Sequence, residues 1–191
     1  MKKSIVGAVL GVMLTGAASV HAADFVMDTK NAHSFIQFKM SHLGYSWVLG
    51  RFNKFDGEFS YDEANPAAAK VEVNIDPSSV DTNHAERDKH IRSEDFLYVD
   101  EFPSAKFVSK KVVPEGDGKA KIIGDLTLRG VTKEVVLDAK HIAGGNDPWG
   151  GYREGFEGTT TFKLKDFGIP KSLGPTAEEI QLYMTVEGIR K

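Results

Sequence analysis

The side chains most able to do chemistry crowd into one stretch, Asp81-Thr82-Asn83-His84-Ala85-Glu86-Arg87-Asp88-Lys89-His90. Two imidazoles among carboxylates suggest a metal site or an acid–base pair. On a helix His84 would face Asp88 and Glu86 would face His90, because residues four apart are neighbours. The two His are six apart and fall on different faces, whereas zinc wants three or four converging ligands. The spacing suits a solvated helix better, with ion pairs among Arg87, Asp88 and Asp95. Ser78 and Ser79 lie near His84 in sequence, but a nucleophile needs a base within hydrogen-bond reach, and no G-x-S-x-G elbow is present. No Gly-rich loop joins a strand to a helix, so nucleotide fingerprints are absent. His33 and His42 flank a β run, where a lone His is more often a structural hydrogen-bonder. The chain has no Cys, which excludes thiol catalysis, iron–sulfur clusters and Cys-based zinc sites. The expectation is a protein that is not an enzyme, with no metal and no cofactor.

The elements around this stretch follow period-two alternation. Ile36, Phe38 and Met40 share one parity. Phe55, Gly57, Phe59 and Tyr61 alternate with polar neighbours, as do Val71, Val73 and Ile75. The same holds for Ile122, Leu126 and Leu128, for Phe162 and Leu164, and for Ile180, Leu182, Met184 and Val186. Strands with one dry and one wet face belong to antiparallel sheets. Turn signals at 62–66, at 114–118, at Arg129-Gly130 and at 144–151 separate them. About eight strands at regular spacing read as a sandwich or barrel. The run NHAERDKHIRSEDF, residues 83–96, breaks the alternation and predicts a short helix between strands, capped by Asp81 or Asn83. Arg87 and Asp88 would brace that helix against a barrel mouth.

Phe is over-used, at 12 against 5 Tyr and 2 Trp. It carries no polar handle and favours a dry interior or a dry pocket. Candidate ligand-lining residues are therefore Phe38, Phe52, Phe55, Phe59, Phe96, Phe107, Phe156 and Phe162, with Trp47 near the mouth. An eight-stranded barrel is just large enough to be filled by side chains or to hold one ligand. Parity does not decide between the two.

The N-terminus reads as a secretory signal peptide over residues 1–22. Lys2 and Lys3 precede an uncharged apolar run to Val20, and Val20-His21-Ala22 fits cleavage after Ala22. The remainder, residues 23–191, is one domain by size. Losing Lys2 and Lys3 takes the formal charge from −3 to −5, which argues against nucleic acid as a partner. No later segment is long and apolar enough to span a bilayer. The expected location is the periplasm.

Several runs together carry a family resemblance: Phe52-Asn53-Lys54-Phe55-Asp56-Gly57-Glu58-Phe59, Ser79-Val80-Asp81-Thr82-Asn83, Arg87-Asp88-Lys89-His90-Ile91-Arg92-Ser93, Phe102-Pro103-Ser104-Ala105-Lys106-Phe107, the run from Gly124 to Lys133, and Asp166-Phe167-Gly168-Ile169. In this order they resemble the YceI-like family of periplasmic proteins, of the UPF0312 type. The resemblance implies a lipocalin-like, eight-stranded antiparallel β-barrel around a long hydrophobic pocket. It also implies an isoprenoid, a quinone or another fatty-chain molecule as the partner, with a homodimer left open. His42, Asp81, Arg87 and Asp88 are the candidates for polar contacts at the pocket mouth.

Overall fold

Alternating sequence becomes antiparallel sheet almost throughout. The computed structural model describes residues 22–31, 33–171 and 173–191. The expected signal peptide lies, apart from Ala22, outside the described residues. The β segments are β1 (Ala23–Met27), β2 (Phe35–His42), β3 (Ser46–Phe52), β4 (Phe55–Tyr61), β5 (Lys70–Ile75), β6 (Val80–Asp81), β7 (Ala105–Gly116), β8 (Lys119–Leu128), β9 (Val131–Asn146), β10 (Tyr152–Lys163) and β11 (Glu179–Arg190). Among the described residues one α-helix, α1 (Ala85–Arg92), follows β6.

These segments make eight strands of a closed antiparallel barrel. β1 and β2 are one strand interrupted at 28–34, since both lie along β11. β3 and β4 are likewise one strand, with β3 on β2 and β4 on β1. β5 and β6 are separated by a turn at Pro77–Ser79, β5 on β4 and β6 on β3. Each strand then neighbours the next in sequence, and the β1–β11 pairing closes the ring. Closure leaves those strands without a free edge, which is how a barrel avoids edge-to-edge association.

The tight connections follow local chemistry. Arg129 and Gly130 both have positive φ, 50° and 71°, as a two-residue I′ hairpin requires. Arg129 also donates from Nη1 to the carbonyls of Glu94 and Phe96, tying the segment after α1 to this end of the barrel. Outside, lysines pair across strands: Lys110 with Asp125 and Glu134, Lys121 with Asp138, Lys106 with Glu72.

The dry faces meet inside. Phe25 and Phe167 are each 1% exposed, and burying one such ring is worth roughly 1.5–3 kcal/mol. Phe25 stacks on Phe59 at 4.9 Å. Phe59 in turn lies over Gly188, where a Cβ would fall 2.3 Å from the ring.

The helix differs in detail from the sequence expectation. It is shorter, and its N-cap is His84, whose Nδ1 accepts from Arg87 N at 3.2 Å. Asp81 instead accepts from Asn83 N and holds Arg51 and Asn53. Nor do Arg87 and Asp88 form the expected ion pair; both grip Thr82. Asp88 Oδ1 accepts from Thr82 N at 2.8 Å and from its hydroxyl, while Arg87 donates to Thr82 Oγ1 and to its carbonyl, both at 2.7 Å. Asp95 pairs with His90 and Lys171. The physical reason is burial: Asp88 is 9% exposed, and a buried carboxylate needs directed hydrogen bonds.

Candidate functional site

The barrel is hollow in one half and filled in the other. A cavity of about 520 Å³ opens at the end formed by the β4–β5 connection and the β7–β8 hairpin. Its rim carries Glu63, Pro66, Lys70, Pro114, Asp117, Lys119, Lys140 and Glu157. Its walls are the inward parity of successive strands: Phe59 on β4, Val71, Val73 and Ile75 on β5, Phe107 and Val112 on β7, Ile122 and Leu126 on β8, Val135 and Leu137 on β9, Phe156 on β10, Leu182, Met184 and Val186 on β11. Met27 and Ile36 face it from the broken first strand. The volume lies within the roughly 300–1,000 Å³ usual for ligand pockets.

Of the expected lining residues, Phe59, Phe107 and Phe156 stand in the cavity wall. Phe38, Phe52, Phe55, Phe96 and Phe162 do not. Phe38 packs on Phe52 at 5.8 Å and Phe162 on Phe167 at 4.9 Å, and Phe52, Phe55 and Phe162 pack against the buried core. Phe96 lies edge-on to His90, 5.1 Å between ring centres. His42, Asp81, Arg87 and Asp88, expected at the mouth, belong to the far end, where β2 turns into β3 and α1 packs on β6. Trp47 is there too, 54% exposed on the outer face under Lys39 Nζ. The β2–β3 hairpin, not the cavity, takes the aromatic run 45–47. Ser78 and Ser79 bond to Asp76 and Lys54 rather than to His84.

Among the polar side chains that line the cavity is His141, which sequence reading missed. It extends the inward register Val135, Leu137, Ala139 along β9, so alternation carried the signal. Its Nε2 lies 2.6 Å from Oε2 of Glu154 on β10, a side chain only 8% exposed. Its ring packs on Tyr61 at 5.4 Å and on Phe156 at 5.0 Å. Glu154 was missed as well, although it continues the parity of Phe156, Gly158 and Thr160 along β10. Phe156 is the Cα partner of His141, and Glu154, two residues before Phe156 on β10, stands on the same face. Gly144 makes the room, since a Cβ there would fall 2.3 Å from Glu154 Oε2. Burial raises the Tyr61 hydroxyl above the ordinary tyrosine value, and the Glu154 charge adds to that.

A second cluster sits on the outer surface of the same strands. Arg153 reaches Asp28 and Asp147, each at 2.8 Å, and also Glu187. His33 and Asn31 bond to Asp28 as well. Asp28, His33 and Glu187 bring ligand atoms close enough for a metal, but the Arg153 guanidinium already pairs with both carboxylates. Burial opposes ionisation of Asp28, yet Arg153, Asn31 and His33 together hold it well below the usual carboxylate range.

A closed up-and-down barrel with an apolar bore and a small polar mouth defines a binding-type barrel, of the shape lipocalins share. The chain belongs to the YceI-like family, whose sequence pattern it matches over residues 25–188. It is 56% identical over 191 residues to UPF0312 proteins of Ectopseudomonas mendocina and Shewanella denitrificans, covering 100% of both chains in each case. Among solved structures, it is similar to the Campylobacter jejuni YCEI protein, with a TM-score of 0.72 and 31% identity over 80% of this chain and 91% of that one. Two more distant structures share the fold. Burkholderia cenocepacia BcnA has a TM-score of 0.74 at 22% identity, covering 84% of this chain and 98% of that one. A polyisoprenoid binding domain from Saccharophagus degradans has 0.65 at 16% identity, covering 90% and 100%.

Proposed function

We propose that this protein is a non-catalytic periplasmic carrier that holds one long-chain isoprenoid, isoprenoid quinone or similar amphiphile in its barrel. The observation that carries the reading is the cavity: about 520 Å³, open at one end, and walled by Phe, Val, Ile, Leu and Met. Each methylene-sized unit moved from water into such a wall gains roughly 0.8 kcal/mol. Ten units therefore supply about 8 kcal/mol, enough to keep a lipid soluble without a charged partner. The related fold of the Saccharophagus degradans polyisoprenoid binding domain supports this ligand class. The signal-peptide pattern at residues 1–22 supports export, to a compartment where a lipid crossing between membranes needs shielding. The hydrogen-bonded surroundings of Asp88 and His90 give the helix a structural role, leaving ligand binding to the bore.

The test is solvent extraction of freshly purified protein followed by mass spectrometry. An apolar long-chain molecule in near-stoichiometric yield is expected. Val135→Trp, which projects an indole into the bore, should abolish its recovery while the far-ultraviolet circular dichroism stays β-type. Recovery of no apolar molecule, and no uptake of an added isoprenoid, would overturn the reading.

A further inference from the structure

The cavity ends in a polar mouth whose chemistry selects a ligand head. A phosphate or diphosphate head calls for arginines or a lysine cluster. Among the described residues no arginine lines this cavity, and the rim lysines Lys70, Lys119 and Lys140 are matched by Glu63, Asp117 and Glu157. Just behind the wall, Glu154 adds a carboxylate that is 8% exposed.

His141 is among the polar groups that line the bore. In its neutral form, the imidazole that donates Nε2–H to Glu154 at 2.6 Å must carry a lone pair on Nδ1. The hydrogen bond that one ring nitrogen makes sets the tautomer of the imidazole. Nδ1 has no hydrogen-bond partner among the described residues. The ring is further held by Tyr61 and Phe156. Tyr61, also in the cavity wall, offers a hydroxyl donor with no side-chain partner among the described residues. One acceptor and one donor at the mouth complement a group that can donate and accept at once.

We propose that His141, oriented by Glu154, anchors the polar head of the cavity's ligand, and that this head is an uncharged group bearing a hydroxyl. The head O–H donates to Nδ1 of His141, and its oxygen accepts from the Tyr61 hydroxyl. A carbonyl or ether oxygen satisfies only Tyr61. A diphosphate brings negative charge beside Glu154, where low dielectric enlarges the repulsion. This inference rests on the cavity being a lipid site.

The experiment compares three probes with one chain on the full-length exported protein stripped of lipid: geranylgeraniol, its methyl ether and geranylgeranyl diphosphate. The alcohol should bind about tenfold tighter than the ether, the worth of one well-placed hydrogen bond, and tighter than the diphosphate. His141→Phe should erase the alcohol–ether difference while keeping ether binding. Tyr61→Phe, which removes one oxygen and keeps the ring, should weaken alcohol and ether together. Glu154→Gln should narrow the gap to the diphosphate. Equal affinity for alcohol and ether in the unmodified protein, or a preference for the diphosphate, would overturn the head-group assignment alone. Failure of all three probes to bind would overturn the lipid-carrier reading and this inference with it.

Discussion

Gly188 shows how one missing side chain shapes the cavity. A Cβ there would come within 2.3 Å of the Phe59 ring and 3.0 Å of Phe25 Cβ. Phe59 stacks on Phe25 and meets Phe156 edge-on at 5.4 Å, so it has little freedom except toward the bore. Gly188→Ala should therefore push Phe59 into the cavity. Overpacking of this kind costs about 1–3 kcal/mol, and the added ring volume should lower ligand recovery. Thermal denaturation and lipid extraction on the same preparation measure both. Gly144 plays the matching role for Glu154. Residues with no side chain set where the aromatic and acidic groups of this site can lie.

At the scale of elements, the outer cluster around Arg153 binds three pieces of chain. Asp28 lies in the break between β1 and β2, Asp147 in the β9–β10 turn, and Glu187 on β11. Asp147 is itself held below the usual carboxylate range by the Gly151 amide and by Arg153. A carboxylate whose folded value is depressed contributes stability above its unfolded value, near 3.9, and loses it as pH falls toward the folded one. Stability should thus decline progressively below about pH 4 as the unfolded chain begins to take up the proton. Asp28→Asn should cost about 1–3 kcal/mol at neutral pH, the worth of a hydrogen bond to a charged group, because Arg153 keeps Asp147 and Glu187 as partners, and should flatten the acid decline. Urea titrations at neutral pH and at pH 3 to 4 would check both the size and the sign. A variant with unchanged stability at neutral pH would show that the cluster is not what ties the broken strand to β11.

For the whole molecule, the division into a filled and a hollow half predicts two kinds of core mutant. Phe167 is 1% exposed and packs on Phe162 in the filled half. Phe167→Ala should cost about 3–5 kcal/mol and leave the mouth chemistry untouched. Leu137 stands in the cavity wall, with one side of its chain already short of packing partners. Leu137→Ala should cost about 2 kcal/mol, the low end of the range, and should act mainly on ligand retention. Equilibrium unfolding of the two variants, with and without bound lipid, separates these effects.

Much of this was legible from the residues in order. Alternation with turn signals gave the antiparallel strands, because a half-buried strand must place apolar side chains at every second position. Arg129-Gly130 announced its hairpin, and 83–96 announced a helix by breaking the alternation. The same parity, continued along β9, would have found His141. What parity cannot hold is depth along a barrel. Phe59 and Phe162 are alike in sequence, yet one lines the bore and the other fills the far half, since that depends on which strands come alongside and in what register. Glu154 shares the parity of Phe156, but its pairing with His141 and the room left by Gly144 come from the β9–β10 register. Sequence determined that this chain has a dry inner face; the tertiary pairing decided where that face encloses space and which polar groups stand at its entrance.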